Sequence, residues 1–173
     1  MRGIIATRAL VYALDVRALG IDYGRRRTGL AVSDPTGMLA RPWKTLEGGG
    51  GPRRTATRLA TEITALRSES DGLAAVVVGY PRRLNGDRTE QTAAVEAMVA
   101  ELRQVIALPI VLQDERLTSR EAEALLARRE KDWRKRKPLL DAASAAIILQ
   151  DYLDGQARVA PRSVSREFGE DEE

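Results

Sequence analysis

The chain has 173 residues, of which 43% are hydrophobic, and its formal net charge is +3. This length suits one compact core better than two full domains, so a single α/β domain is predicted. The chain contains no cysteine and no histidine, which excludes thiolate nucleophiles, disulfides, the usual zinc sites and imidazole acid–base catalysis.

The first 17 residues are predicted to be an N-terminal extension, because a regular apolar pattern begins only at Ala18. They lack the long apolar stretch and the small-residue cleavage site of a signal peptide. No segment reaches the roughly 18 consecutive apolar residues that a membrane-spanning helix needs. A cytoplasmic protein with no membrane partner is therefore expected.

Three strands are predicted next. Residues 18–22 form a short apolar strand, and residues 28–33 alternate larger side chains with glycine and alanine. A glycine and arginine turn at 24–27 joins the two segments into a hairpin. A third strand around 38–46 follows a turn at 34–37, which indicates an antiparallel meander.

The rest of the domain alternates apolar helical stripes with short runs rich in β-branched residues. The pattern predicts a helix after the glycine run 48–51, a strand at 73–78, a helix at 89–105, a strand at 110–113, a helix that begins near Thr118, and a last helix at 138–152. A meander followed by crossovers implies a mixed five-stranded sheet flanked by helices, within a domain of residues 18–154. Residues 155–173 are predicted to be a disordered acidic tail.

Asp22 occupies an unusual position, because it ends an apolar strand that is expected to be central. A carboxylate there is costly unless it is paired or bound to a metal ion. Gly24 would let a phosphate or a metal ion approach the backbone closely. The alternative is a structural role, in which Asp22 caps the turn that starts at Gly24.

Asp114 and Glu115 follow another apolar strand. Ligands bind at the carboxyl ends of parallel strands, so this pair could meet Asp22 if the two strands are neighbours. Successive strand residues point to opposite faces, so only one of the two is expected to be a direct ligand. In the structural alternative, Asp114 caps a turn and Glu115 pairs with Arg116.

The predicted last helix, 138–152, has Asp141 in its first turn, where the helix dipole alone would explain an acidic residue. The small residues 142–146 favour a functional role, because they would let the helix pack closely on the sheet and bring the carboxylate inward. Oxygen ligands without nitrogen or sulfur ligands specify a hard cation such as Mg²⁺ or Mn²⁺. Paired hard cations suit in-line attack at phosphorus.

A basic stretch lies just before Asp141. Residues 128–137 include seven basic and two acidic side chains, a density that suits binding to a polyanion. A solvated helix end is the structural alternative.

Four ordered motifs cover about residues 18 to 154. The first two are Gly20-Ile21-Asp22-Tyr23-Gly24 with Arg27, Gly29, Ala31 and Ser33-Asp34, and then Val78-Gly79-Tyr80-Pro81 with Asn85-Gly86. The last two are Asp114-Glu115-Arg116-Leu117-Thr118-Ser119, and the run from Lys137 to Asp141 that continues through Ala145 to Leu153. Together they closely resemble the signature of the YqgF (RuvX-type) family.

This resemblance implies a ribonuclease H-like fold and metal-dependent phosphodiester cleavage, either of Holliday junctions or at the 5′ end of pre-16S ribosomal RNA. It implies that Asp22, Glu115 and Asp141 are the catalytic acids and bind Mg²⁺ or Mn²⁺, with Asp114 as an adjacent candidate metal ligand. The residues that it implies contact nucleic acid are Arg27, Arg116, Arg134, Lys135, Arg136 and Lys137.

Two other functions fit parts of the sequence. A non-catalytic ribonuclease H-like module could bind RNA or a ribosomal particle with a basic face, although clustered acids would repel a phosphate backbone. ATPases of the actin and Hsp70 superfamily begin with a similar Asp-x-Gly hairpin, but they need a second such motif and a second domain. The choice between pre-rRNA and branched DNA, and between a monomer and a homodimer, stays open at this point.

Overall fold

The computed structural model describes residues 17–114 and 133–159. Within these ranges lie five strands, β1 (Ala18–Tyr23), β2 (Arg27–Ser33), β3 (Ala40–Glu47), β4 (Ala75–Tyr80) and β5 (Ile110–Asp114), and three helices, α1 (Gly51–Arg67), α2 (Glu90–Val105) and α3 (Trp133–Val159). Each prediction for these ranges is confirmed to within a few residues, apart from the ends of the last helix. The helix predicted near Thr118 lies outside the described residues.

The strands form one mixed sheet in the order β3-β2-β1-β4-β5. The pairs β1–β2 and β2–β3 are antiparallel, and the pairs β1–β4 and β4–β5 are parallel. The α/β fold with a mixed five-stranded sheet is therefore confirmed, and the arrangement is that of a ribonuclease H-like fold. Because β4 separates β1 from β5, the strands that carry Asp22 and Asp114 are not neighbours.

The two faces of the sheet carry different helices. The side chains of Leu19 and Ile21 in β1 pack with buried residues of α1 and α2, such as Leu59 and Met98. On the other face, strand residues pack against one side of α3 in a second cluster; its buried members are Ala18, Ala31, Val77, Ala145, Ala146, Ile148, Leu149, Tyr152 and Leu153. Because successive side chains of a strand point to opposite faces of the sheet, one side chain packs against α1 and α2 and the next packs against α3.

Helix α3 differs from its prediction at both ends. It begins at Trp133, five residues before the predicted start, and continues to Val159, beyond the predicted domain end at residue 154. Proline is common in the first helical turn, but Pro138, the predicted start, lies inside the helix. Residues 160–173 of the predicted tail lie outside the described residues. None of the described helices combines the length and the apolar character needed to cross a membrane.

Candidate active site

Asp22 lies at the carboxyl end of β1 on the face that carries α3. Its neighbours Ile21 and Tyr23 are buried on the opposite face, and alternation gives Asp22 the same face as Gly20, which lies directly beneath α3. The Ser144 hydroxyl of α3 forms a hydrogen bond with the half-buried Asp22 carboxylate. This contact joins Asp22 to the helix, so the alternative in which it caps the turn at Gly24 is not supported. Gly24 lies in the hairpin turn, so close to the Arg27 carbonyl oxygen that an added Cβ would be 2.6 Å from that oxygen.

Asp141 lies above the residue that pairs with Asp22. Gly29 of β2 is the register partner of Asp22, and an added Cβ at Gly29 would lie 1.9 Å from the Asp141 carbonyl oxygen. Asp141 is eight positions after Trp133, so it lies inside α3. The first-turn location was therefore wrong, and the helix dipole no longer accounts for this acid, because its effect fades within the first turn.

Glycines and small helix residues make this close approach possible. At Gly20, an added Cβ would lie 2.8 Å from both the Ala145 carbonyl oxygen and the Leu149 Cβ. The small residues of α3 that follow Asp141 are all buried. The prediction that they let the helix pack tightly against the sheet is therefore confirmed. The result is an acidic pair held between β1 and α3.

The environment of this pair disfavours two negative charges. Burial raises the pKa of Asp22 to about 6, repulsion by the Asp141 carboxylate raises it as well, and the Ser144 hydrogen bond acts in the opposite direction. The Arg27 Nη1 atom lies 3.9 Å from Asp141 Oδ2, beyond hydrogen-bonding distance. A cation bound between the two carboxylates would relieve both the desolvation and the repulsion.

The structure does not bring Asp114 into this pair. Its strand is two positions from β1, or roughly 10 Å at the usual strand spacing. Val111 of β5 packs on the α3 side and Ile110 on the α1–α2 side, so alternation places Asp114 on the face opposite Asp22. Glu115 and Arg116 lie outside the described residues. Within residues 17–114 and 133–159, no three acidic side chains converge as a metal site.

Of the residues predicted to contact nucleic acid, Arg27 lies next to the acidic pair, and Arg116 lies outside the described residues. Arg27 begins β2 and has Glu47 and Asp141 as acidic neighbours. Helix α3 runs from Asp141 to Gln150, whose side chain bonds the Ala40 amide and the Met38 carbonyl at the other end of the sheet. The eight residues before Asp141, which include 134–137, therefore extend about 12 Å in the opposite direction, past the carboxyl end of β1.

Ser144 and Gly29 are the two residues whose roles the sequence analysis missed. Ser144 was treated only as a small residue, although its spacing of three from Asp141 places both on one helix face. Gly29 was noted only as part of a motif. Its backbone contact with α3 depends on how the helix crosses the sheet, and no local pattern reveals that crossing.

The sheet order and the acidic pair at a strand end together define a protein of the ribonuclease H-like class. The chain belongs to the RuvX family, whose model is described as Holliday junction resolvase and matches residues 16–155. The predicted family is therefore confirmed, and with it the predicted nuclease class.

Relatives from several bacteria match most of the chain. A protein of Roseiflexus sp. named "Putative pre-16S rRNA nuclease" is 41% identical over 140 residues, which is 81% of this chain and 95% of the relative. A protein of Geobacillus kaustophilus with the same name is 36% identical over 146 residues, 82% of this chain and 99% of the relative. Among solved structures, Thermus thermophilus RuvC in complex with Holliday junction substrate matches with a TM-score of 0.49 at 17% identity, covering 82% of this chain and 96% of that one.

Proposed function

We propose that this protein is a divalent-metal-dependent endonuclease that hydrolyses phosphodiester bonds in the precursor of 16S ribosomal RNA. The observation that carries the proposal is the pairing of Asp22 with Asp141, two carboxylates from distant parts of the chain, at the carboxyl end of a central strand. An acidic pair that is partly desolvated destabilises the fold unless a cation is bound to it. Family membership and the names of the relatives support the same activity.

The donor set fits a hard cation. Asp22 and Asp141 offer only oxygen ligands, and the sequence contains no histidine or cysteine to compete with them. Asp22, Asp141 and Glu115 would hold Mg²⁺ or Mn²⁺, which in a two-ion site supplies activation of water and stabilisation of the leaving oxygen. Asp114 leaves the ligand set because its side chain belongs to the other face.

The chain's own residues hold the site in place. The Ser144 hydroxyl donates a hydrogen bond that stabilises the ionised form of Asp22, and the packing at Gly29 fixes the height of Asp141 above the sheet. Arg27 and the basic residues 134–137 would bind backbone phosphates on either side of the scissile bond. The mechanism requires no imidazole.

Pre-16S RNA is the proposed substrate because relatives that are 36–41% identical to the chain carry that name. The family description names Holliday junctions instead. Cleavage of a pre-16S 5′-end RNA and of a four-way DNA junction, measured side by side with the native mass, separates the two substrates. A ribosomal particle as partner and a cytoplasmic location stay predictions.

Asp141→Asn is expected to lower Mn²⁺- or Mg²⁺-dependent cleavage of the RNA on the order of 100-fold or more, because it removes one charge from the ion-binding pair. Single-turnover cleavage by the purified variant measures the loss. Asp154→Asn, an exposed change in the same helix, is the control and should cut normally. Normal cleavage by Asp141→Asn would show that Asp141 is not part of the catalytic site, whereas a wild-type protein that binds the RNA without cutting it would leave a binding module as the function.

Ser144→Ala is expected to raise the pKa of Asp22 above about 6, because the lost hydrogen bond favours the ionised carboxylate. Cleavage should fall roughly tenfold, the usual cost of losing a group that orients a metal ligand. Carboxyl NMR titration in EDTA measures the pKa, and Ser70→Ala at the opposite end of the sheet is the control. An unchanged titration would show that Ser144 does not act on Asp22.

A further inference from the structure

The connections at the two ends of the sheet carry opposite charge. At the end where Asp22 lies, the described connections 24–26, 48–50 and 81–89 contain five arginines and one acidic residue. At the other end, connections 34–39, 68–74 and 106–109 contain three acidic residues and no lysine or arginine. The residues of the first set are Arg25, Arg26, Arg82, Arg83, Arg88 and Asp87, and those of the second are Asp34, Glu69 and Asp71.

This basic end continues into the first turn of α1. Arg53 and Arg54 lie there, and that turn contains no acidic residue. Both arginines are exposed, as is Arg26 in the neighbouring hairpin turn. Among the ion pairs formed by the described residues, none includes any of these three arginines. Arg25, by contrast, is paired with Glu90.

The hairpin turn and the start of α1 form one continuous backbone surface. The Gly48 amide donates a hydrogen bond of 2.6 Å to the Arg26 carbonyl oxygen. An added Cβ at Gly48 would lie 2.5 Å from the Arg26 carbonyl carbon, and one at Gly50 would lie 2.3 Å from the Arg54 Cδ. The Arg54 side chain therefore lies against Gly50, in the glycine run that precedes α1.

The position of α1 indicates the path that a bound strand would follow over this surface. The acidic pair lies on the α3 face, whereas α1 packs on the other face. A strand that passed from the acidic pair over Arg26 to α1 would therefore cross the end of the sheet. Arg82 and Arg83 offer a different route, but the Arg82 guanidinium already stacks on the Tyr80 ring, 4.8 Å from its centroid.

We propose that the bound nucleic-acid strand crosses the end of the sheet at Arg26 and continues to the first turn of α1, where Arg53 and Arg54 bind phosphates away from the scissile bond. The inference rests on the proposed nuclease function, since it takes nucleic acid as the ligand. Like charges clustered on one surface repel one another, and a phosphate backbone removes that repulsion. The protein thus binds its substrate on both faces of the sheet, at the acidic pair on one face and at the start of α1 on the other.

The test compares two double variants that each remove two positive charges. Arg53→Gln with Arg54→Gln neutralises the proposed surface, and Arg67→Gln with Arg103→Gln neutralises the last turns of α1 and α2 at the acidic end. Binding of a fluorescein-labelled single-stranded RNA is measured in EDTA at several salt concentrations, and melting temperatures confirm folding. The first variant should make the salt slope less negative by about 1.4, and weaken binding roughly tenfold or more at low salt. The control should match the wild type.

Substrate length gives a second measurement. The RNA is lengthened one nucleotide at a time on each side of the cut. On one side, the KM of the wild type should fall when the RNA becomes long enough to reach α1. The variant with Arg53→Gln and Arg54→Gln should not show this decrease in KM. Three results would overturn the proposal. The salt slope of the Arg53→Gln, Arg54→Gln variant could stay unchanged, or the control could lose as much affinity for RNA. The third is a loss of affinity only in a variant with Arg82→Gln and Arg83→Gln. If the wild type binds the RNA but does not cut it with Mg²⁺ or Mn²⁺, while the arginine variant binds weakly, the nuclease proposal fails and the binding surface stands.

Discussion

Asp22→Asn is expected to abolish cleavage and to make the metal-free protein more stable. The pKa of the Asp22 carboxyl is about 6 in the folded protein, against an ordinary value of 3.8, chiefly because of burial and then because of Asp141. The folded state therefore resists ionisation that the unfolded chain accepts freely. Asparagine has nearly the same shape and carries no charge, so it removes this penalty together with the ability to bind a metal ion.

The direction of the pH effect follows from the raised pKa. Between about 4 and 6 the folded state holds more protons than the unfolded state, so the stability contributed by this group falls as pH rises. Above pH 6 the penalty is complete, and the difference in pKa corresponds to about 3 kcal/mol at most. Asp22→Asn should thus gain stability relative to the wild type across this range and keep a constant advantage above it.

Urea unfolding in EDTA at pH 4, 6 and 8 measures this effect, and a cleavage assay with Mn²⁺ measures the loss of activity, on the order of 100-fold or more. Mn²⁺ should raise the melting temperature of the wild type and have little effect on the variant. Asp71→Asn, an exposed change at the acidic end of the sheet, serves as the control for both measurements. A variant that is less stable than the wild type at pH 8 would show that the charge on Asp22 does not destabilise the folded protein.

Gly29→Ala is expected to destabilise the fold strongly. Its Cβ would lie 1.9 Å from the carbonyl oxygen and 2.1 Å from the carbonyl carbon of Asp141. Backbone atoms cannot move aside as a flexible side chain can, so α3 must lift from the sheet. The expected loss is about 3 kcal/mol or more, and cleavage should fall with it because Asp141 moves away from Asp22.

A series of glycine replacements keeps this prediction testable even if Gly29→Ala does not fold. Gly20→Ala, with contacts at 2.8 Å, should cost less, and Gly155→Ala, with open space around it in α3, should stabilise the protein. The gain at Gly155 is up to about 1 kcal/mol, the usual difference between the two residues in a helix. Urea unfolding ranks the three variants. Equal stabilities would show that α3 does not depend on these close contacts.

The amino-acid sequence by itself determined the strands, two of the described helices and the family. Period-two runs and apolar stripes are local signals, because burial on one face of a strand or helix selects residues at fixed spacing. They predicted β1, β2, α1 and α2 to within a few residues. The acidic residues were also visible in the sequence, because a carboxylate at the end of an apolar strand departs from ordinary strand composition.

Only the tertiary structure decided which acids meet. The pairing order of strands is a long-range property, and it put β4 between the strands of Asp22 and Asp114. Alternation then placed these two residues on opposite faces, while the crossing of α3 over Gly29 brought Asp141 to Asp22. The start of α3 before Pro138 likewise departed from the local signal. A binding site is formed by contacts between distant segments, and their free energy depends on the packed arrangement rather than on any one segment.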